Sequence, residues 1–351
     1  MSKFWNETVN KTEPYTPGEQ PQDKKYIKLN TNENPYPPSK NVIDAMKNAV
    51  NDDLKLYPDP LCKSLVSEIA DYYNLEPDQV FVGNGSDEIL AFCFITFFSS
   101  DRKVLFPDIS YSFYEVYGNY FNIDYEEIPL DDNFNIDLEK FKSNKSGVIF
   151  PNPNAPTGKY IDIQKIKEVV ESNPDNVVII DEAYIDFGGE SMIQFINKYP
   201  NLLVIQTLSK SRSLAGLRGG FALGNKELID GLNITKNSFN SYTLDRVSLL
   251  GAVAAFKDTE NFEINRNKII KTREQSAKKL SELGFTVLDS KANFIFAKHN
   301  SISGLKLYED LKDKGVLVRH FNKPRITDYL RITIGTDQEM EALIKAIKEI
   351  I

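Results

Sequence analysis

Residues 202–220 read Leu202-Leu203-Val204-Ile205-Gln206-Thr207-Leu208-Ser209-Lys210-Ser211-Arg212-Ser213-Leu214-Ala215-Gly216-Leu217-Arg218-Gly219-Gly220. The stretch opens on an unbroken apolar run, Leu202 to Ile205, and closes on hydroxyls, a lysine and a Gly-rich turn. A strand with one wet face alternates apolar and polar residues, whereas an unbroken run suits a strand buried on both faces. The same texture recurs at Val80 to Val82, Val104 to Phe106, Val148 to Phe150 and Val177 to Ile180, and turn residues and a helical pattern follow most of these runs. One such helix is plain, with Ile163, Ile166, Val169 and Val170 on a common face and Asn173-Pro174 ending it. Strands alternating with helices predict an α/β fold: a large domain with a mostly parallel sheet covered by helices on both faces.

The texture changes after Gly251-Ala252. A long charged helix is expected over roughly Ile264 to Leu283, with Glu274 four residues before Lys278. Strand-like segments follow at Phe285 to Leu288, Asn293 to Ala297, Val316 to Val318 and Tyr329 to Ile334, and a last helix aligns Met340, Leu343, Ile344, Ile347 and Ile350. This predicts a smaller α+β C-terminal domain. The first 30 residues, with Pro14, Pro17 and Pro21, read as an extended N-terminal arm. The expected division is therefore an arm over 1–30, a large domain over 31–250 and a small domain over 251–351.

Composition narrows the function. The 351 residues carry 42 Lys+Arg against 50 Asp+Glu, a net charge of −8, so neither nucleic acid nor an anionic membrane is an expected partner, and an anionic ligand must be caught locally. Cys62 and Cys93 are too few for a disulfide framework, and His299 and His320 lack metal-ligand spacing, so no metal site is expected. The longest apolar stretch, Ile89 to Phe98, is too short to span a bilayer, and the polar N-terminus has no signal-peptide core. A cytoplasmic protein is expected.

In an open parallel sheet, ligands bind beyond the carboxyl ends of the strands. After Val80 to Val82 comes Gly83-Asn84-Gly85-Ser86-Asp87-Glu88, which opens a helix whose free N–H groups suit an anion, although such a stretch is also an ordinary turn. No Gly-Lys-Ser/Thr follows, and Glu88 stands where a third dinucleotide-fold glycine would be, which disfavours nucleotide binding. After Val177 to Ile180, Asp181-Glu182-Ala183-Tyr184 presents a carboxylate and a phenol, or simply caps a turn. Lys210 at a strand end among hydroxyls, eight residues before Arg218, suits either a solvated basic loop or a Schiff-base lysine.

These segments, with Pro151-Asn152-Pro153-Asn154-Ala155-Pro156-Thr157-Gly158, resemble the class I/II, fold-type I aminotransferases that depend on pyridoxal phosphate. Within that family the chain is most similar to the branch acting on histidinol phosphate, through Pro14-Tyr15-Thr16-Pro17-Gly18, Leu29-Asn30-Thr31-Asn32-Glu33-Asn34-Pro35, Tyr57-Pro58-Asp59 and Leu330-Arg331-Ile332-Thr333-Ile334-Gly335-Thr336. The resemblance implies pyridoxal 5'-phosphate as cofactor, with Lys210 as its Schiff-base lysine, Asp181 on the pyridinium nitrogen and Tyr184 on the phenolic oxygen. It implies that Gly85, Ser86, Asp87, Thr207, Ser209 and Arg218 surround the phosphate, that Tyr111 stacks on the ring, and that Tyr57 reaches the neighbouring subunit's phosphate in a homodimer. Tyr15, Asn32, Arg319 and Arg331 are the implied substrate contacts, Arg331 taking the carboxylate of glutamate and helping to bind a substrate phosphate. The implied reaction is ping-pong transamination between L-histidinol phosphate and 2-oxoglutarate in histidine biosynthesis.

Two departures stand out. The family has Asn immediately before Pro-Thr-Gly, contacting the cofactor's phenolic oxygen, where this chain has Ala155; Asn154, one residue earlier, is the candidate cofactor contact in its place. Asn240-Ser241-Tyr242-Thr243-Leu244-Asp245 replaces a Pro-aromatic-Asn segment near the substrate. A threonine-phosphate decarboxylase and an aromatic-amino-acid aminotransferase therefore stand as alternatives.

Overall fold

The computed structural model describes residues 2–143 and 145–351. Its main sheet has seven strands, in the spatial order Val80–Gly83, Gly220–Gly224, Leu202–Thr207, Val178–Asp181, Gly147–Pro151, Val104–Pro107 and Tyr125–Ile128. Only Gly220–Gly224 runs antiparallel to its neighbours. Side chains alternate across a strand, so the unbroken apolar runs feed two cores. Leu202, Val204, Val178, Ile180, Val148 and Phe150 join one cluster with the helices Lys40–Ala49, Lys63–Tyr73, Ile163–Glu171 and Arg246–Lys257. Leu203, Ile205, Ile179 and Ile149 join the other with Gly85–Phe97, Phe113–Phe121 and Lys226–Phe239. The Ile163–Glu171 helix keeps its expected face, and Asp162 caps it by accepting from the Gln164 N–H.

A second, antiparallel sheet orders Arg319–His320, Leu330–Thr333, Phe294–His299 and Phe285–Val287. Behind it lie the long helix Thr259–Glu282 and the last helix Asp337–Lys348, the latter closed by a Thr336–Glu339 capping box. Its core includes Leu29, from the chain entering the main body, and Phe187, from the loop after the Val178–Asp181 strand. The expected strand over Val316 to Val318 divides. Val316–Leu317 pairs in parallel with Ile27–Lys28, and Arg319–His320 pairs with the Leu330–Thr333 strand. The arm is thus not wholly extended, since it holds a short helix, Glu7–Lys11, and ends in that two-stranded pair. Among the described residues no helix is long and apolar enough to cross a membrane.

Candidate active site

Asp181 ends one parallel strand and Thr207 ends the neighbouring one, so the residues after each emerge side by side. Asp181 is buried, with one oxygen accepting from the Tyr114 hydroxyl at 2.9 Å and the other from the Ala183 N–H at 3.1 Å. Burial pushes its carboxyl up to about 6 against the lowering effects of these hydrogen bonds and of the Lys210 ammonium. A buried carboxylate held at such a cost in the field of the Lys210 cation is a candidate functional position. The Lys210 ammonium stands 5.8 Å from the centre of the Tyr184 ring. The Tyr184 hydroxyl accepts from Asn32 Nδ2 at 2.9 Å, which leaves its own proton free to be donated elsewhere.

The Gly85–Phe97 helix starts where sequence places an anion site. Gly85 has φ +84° and a Cβ there would lie 2.7 Å from the Arg218 guanidinium, while a Cβ on Gly220 would lie 2.6 Å from the Ser86 nitrogen. Glycine at both positions lets two backbone segments and Arg218 crowd around the helix start. The Asp87 carboxylate accepts from Arg218 at 3.1 Å and from the Tyr111 hydroxyl at 2.5 Å. Thr207 Oγ1 donates toward Ser209 Oγ at 3.0 Å and the Gly219 carbonyl at 3.2 Å, closing the other side of the cradle.

A cavity of about 960 Å³ opens beside Tyr111, lined also by Tyr15, Ala155, Arg319 and Arg331, while Lys210, Asp181 and Arg218 are not on its wall. Arg331 Nη2 donates to the Asn30 carbonyl at 3.0 Å, its guanidinium packs 5.5 Å and 5.6 Å from the Phe294 and Phe321 rings, and its buried Nε has no partner among the described residues. Burial lowers its affinity for its proton, which the Tyr184 phenol partly restores. Arg319 reaches the Thr16 and Pro17 carbonyls of the arm at 3.3 Å and 3.4 Å, and Tyr15 stacks on Phe113 with ring centres 4.4 Å apart.

Asn32, expected against substrate, is 1% exposed, and its amide bridges Tyr184 and Thr333. Asn154 is buried, its Nδ2 donates to the Ile109 carbonyl and Thr157 Oγ1, and its Oδ1 has no partner, so its donors serve the scaffold. Tyr57 lies apart on an apolar face, stacked on Tyr242 at 4.6 Å. Two supports escaped sequence reasoning: Tyr114, one helical turn after Tyr111, and Asn34, which donates to the Lys210 carbonyl. Among the described residues no group of three or more His, Cys, Asp or Glu side chains is placed to hold a metal ion.

Residues 24–347 match the family described as Aminotransferase class I and II. The chain is 63% identical to the histidinol-phosphate aminotransferase of Clostridium beijerinckii, over all of this chain and 98% of that protein. It is 60% identical to the Clostridium acetobutylicum protein of the same name, over the full length of both. The crystal structure of histidinol-phosphate aminotransferase from Sinorhizobium meliloti in complex with pyridoxal-5'-phosphate shares the fold, with a TM-score of 0.90 at 20% identity over 100% of this chain and 99% of that one.

Proposed function

This chain belongs to the class I and II aminotransferases, and from that premise we propose that it moves the amino group of L-histidinol phosphate to 2-oxoglutarate, in histidine biosynthesis, with pyridoxal phosphate as cofactor. One observation carries the reading from family to chemistry. Buried Asp181 and the Lys210 ammonium emerge from neighbouring strand ends, and Arg331 brings a buried Nε that nothing among the described residues satisfies. The cofactor fits these residues: the glycine-lined helix start with Arg218 suits its phosphate, buried Asp181 suits its pyridinium nitrogen, and the free Tyr184 proton suits its phenolic oxygen. Ser86, Thr207 and Ser209 would complete the phosphate contacts, and Tyr111, fixed by Asp87, would cover the ring. When bound, the cofactor supplies the electron sink that makes the proton on the donor's amine-bearing carbon removable.

This chain's residues do the rest. Lys210 Nζ takes that proton as a neutral amine and returns it at the position that commits the nitrogen to the cofactor. Asp181 holds the ring nitrogen's proton by charge. Arg331 holds the anionic end of either substrate, since its five donors suit both a carboxylate and a phosphate. Arg319, with Tyr15, adds contacts that only the longer phosphate substrate reaches. Arg331→Ala is therefore expected to impair both half-reactions, and Arg319→Ala to slow the histidinol-phosphate half-reaction about 10-fold or more than the glutamate one, the worth of one charge-assisted hydrogen bond. Stopped-flow absorbance with each amine added alone checks this. Equal losses for both amines in Arg319→Ala would remove the phosphate assignment, and carbon dioxide release from threonine phosphate would replace transamination by decarboxylation.

The active unit is a homodimer in this reading. Leu54, Leu56, Tyr57, Leu61, Ile234, Phe239 and Tyr242 are all exposed, Tyr57 at 79% and Phe239 at 74%. The Tyr57–Tyr242 stack and the Lys236 ammonium on the Pro60 carbonyl tie the loop to the Lys226–Phe239 helix, so these residues make one apolar face that a monomer would leave wet. With Tyr57 completing the partner's phosphate site, mixing Lys210→Ala with Tyr57→Ala subunits is expected to restore about a quarter of wild-type sites, from heterodimers with one intact site each. Activity no higher than the sum of the two parents, or a monomer in sedimentation at working concentration, would refute the shared site.

A further inference from the structure

We infer that Asn34 is a positioning residue for Lys210, setting the direction from which the lysine amine works; the inference rests on the reading of Lys210 given above. Asn34 lies between the Ile27–Lys28 strand and the Lys40–Ala49 helix, 176 residues from Lys210 in sequence. Its Nδ2 donates one bond to the Lys210 carbonyl at 3.0 Å and one to the Ser211 carbonyl at 3.1 Å, and its Oδ1 accepts from the Tyr36 N–H at 3.0 Å. Every hydrogen-bonding position on the amide hydrogens is thus committed to the two consecutive peptides that follow the lysine.

Those peptides need an external hold. The ladder ends at Thr207, and the loop beyond it closes through the Leu214 N–H on the Leu208 carbonyl, with Ser213 in the left-handed region at φ +61°. Between these points the Lys210 and Ser211 carbonyls are fixed by Asn34 and the Ser211 hydroxyl by Asp186. Rotating the Lys210 peptide swings its Cα–Cβ bond, and a four-carbon stem magnifies that swing at Nζ. Among uncharged side chains only a primary amide offers two hydrogens from one atom to two neighbouring carbonyls.

The flanking residues make the hold relational. Asn30 receives Arg331 on its carbonyl at 3.0 Å, Asn32 donates to Tyr184 at 2.9 Å, and Asn34 holds Lys210. Three alternate residues of one five-residue segment therefore touch the guanidinium proposed for the substrate's anion, the phenol and the backbone of the lysine. The distance between anchored anion and working amine is set by this segment. Displacement of a reacting group by about 1 Å costs on the order of 10²-fold.

Holoenzymes of Asn34→Asp and Asn34→Ala test this. Asn34→Asp keeps the acceptor for Tyr36 and replaces the donor by an oxygen facing two carbonyls; Asn34→Ala removes both functions without adding charge, and decides the matter should the aspartate variant not fold. The readouts are the borohydride-reducible link at Lys210, the rate at which apoenzyme forms it with added pyridoxal phosphate, the pH midpoint of its absorbance, and kcat and KM. Expected are a complete link, formed on the order of 10²-fold more slowly, a displaced pH midpoint, and kcat down on the order of 10²-fold with KM within about threefold. A lowered melting temperature with wild-type formation rate, pH midpoint and kcat would reduce Asn34 to a structural residue and overturn the inference, as would Asn34→Asp behaving as wild type. Failure of the reading itself would look different: wild-type protein would lack the link at Lys210.

Discussion

Lys210→Ala is expected to fold, to bind pyridoxal phosphate without a borohydride-reducible link, and to lose turnover by about 10⁴-fold or more, the scale set by removing a covalent attachment point and a general base together. The fold survives because the contacts that hold this loop belong to the backbone or to other side chains. Asn34 grips the Lys210 carbonyl, Leu214 closes the loop on Leu208, and Ser211 bonds Asp186, none of which an alanine at position 210 removes. The side chain itself contributes a partly buried ammonium 5.8 Å from the Tyr184 ring. Its loss takes a cation from Asp181 and Glu33. Partial burial works to raise the Glu33 carboxyl, yet hydrogen bonds from Lys28 and Thr31, and then the charges of Lys28 and Lys210, hold it below its ordinary value. Mass spectrometry after borohydride treatment reads the link directly. An adduct that persists in Lys210→Ala would move the chemistry to another lysine.

What the sequence made legible follows from how local each signal is. The Leu202–Thr207 strand declared itself because burial on both faces removes polar residues from the run. Its neighbour Gly220–Gly224 did not. Gly220 is there for close approach to the Gly85–Ser86 backbone, so the packing demand that makes it a strand end also makes it look like a turn. Tyr125–Ile128 escaped for another reason: an edge strand with Glu126 and Glu127 exposed has no apolar run to show.

The site divides in the same way. Asp181 ends its strand, and Tyr184 and Lys210 each come three residues after a strand end, so finding the strands finds them. The resemblance implies a substrate contact for Asn32, but its contacts with Tyr184 and Thr333 bridge 152 and 301 residues, and no spacing within one segment reports such a crossing. Tyr114 lay three residues from a predicted site residue, yet its bond to Asp181 requires knowing that the Phe113–Phe121 helix crosses behind that strand end. The supports of a site are long-range properties, whereas its reacting groups are carried on local ones.

Asp181→Asn is expected to separate stability from activity in opposite directions. Burial raises the Asp181 carboxyl from 3.8 to about 6 in the folded protein without cofactor. A group whose folded value is raised favours the fold fully below its unfolded value, and that contribution is lost as pH rises through about 6, a cost of about 3 kcal/mol above that point. An asparagine carries no such charge. It keeps an acceptor for the Ala183 N–H, and its amide can donate to the Tyr114 oxygen, although Tyr114 then gives up its own donated bond, worth about 1 kcal/mol. Apo Asp181→Asn should therefore be more stable than apo wild type at pH 8 by about 1–2 kcal/mol, with the advantage vanishing near pH 4. Turnover should move the other way, falling by about 10³-fold, because a neutral amide cannot hold the ring nitrogen's proton by charge and the electron sink weakens. Chemical denaturation of the apoprotein at the two pH values reads the first effect, and single-turnover absorbance with histidinol phosphate reads the second. A variant that is less stable at pH 8, or that keeps turnover within tenfold of wild type, would mean that Asp181 is a structural carboxylate, since only a cationic partner explains why the chain keeps a charge where a neutral side chain costs less.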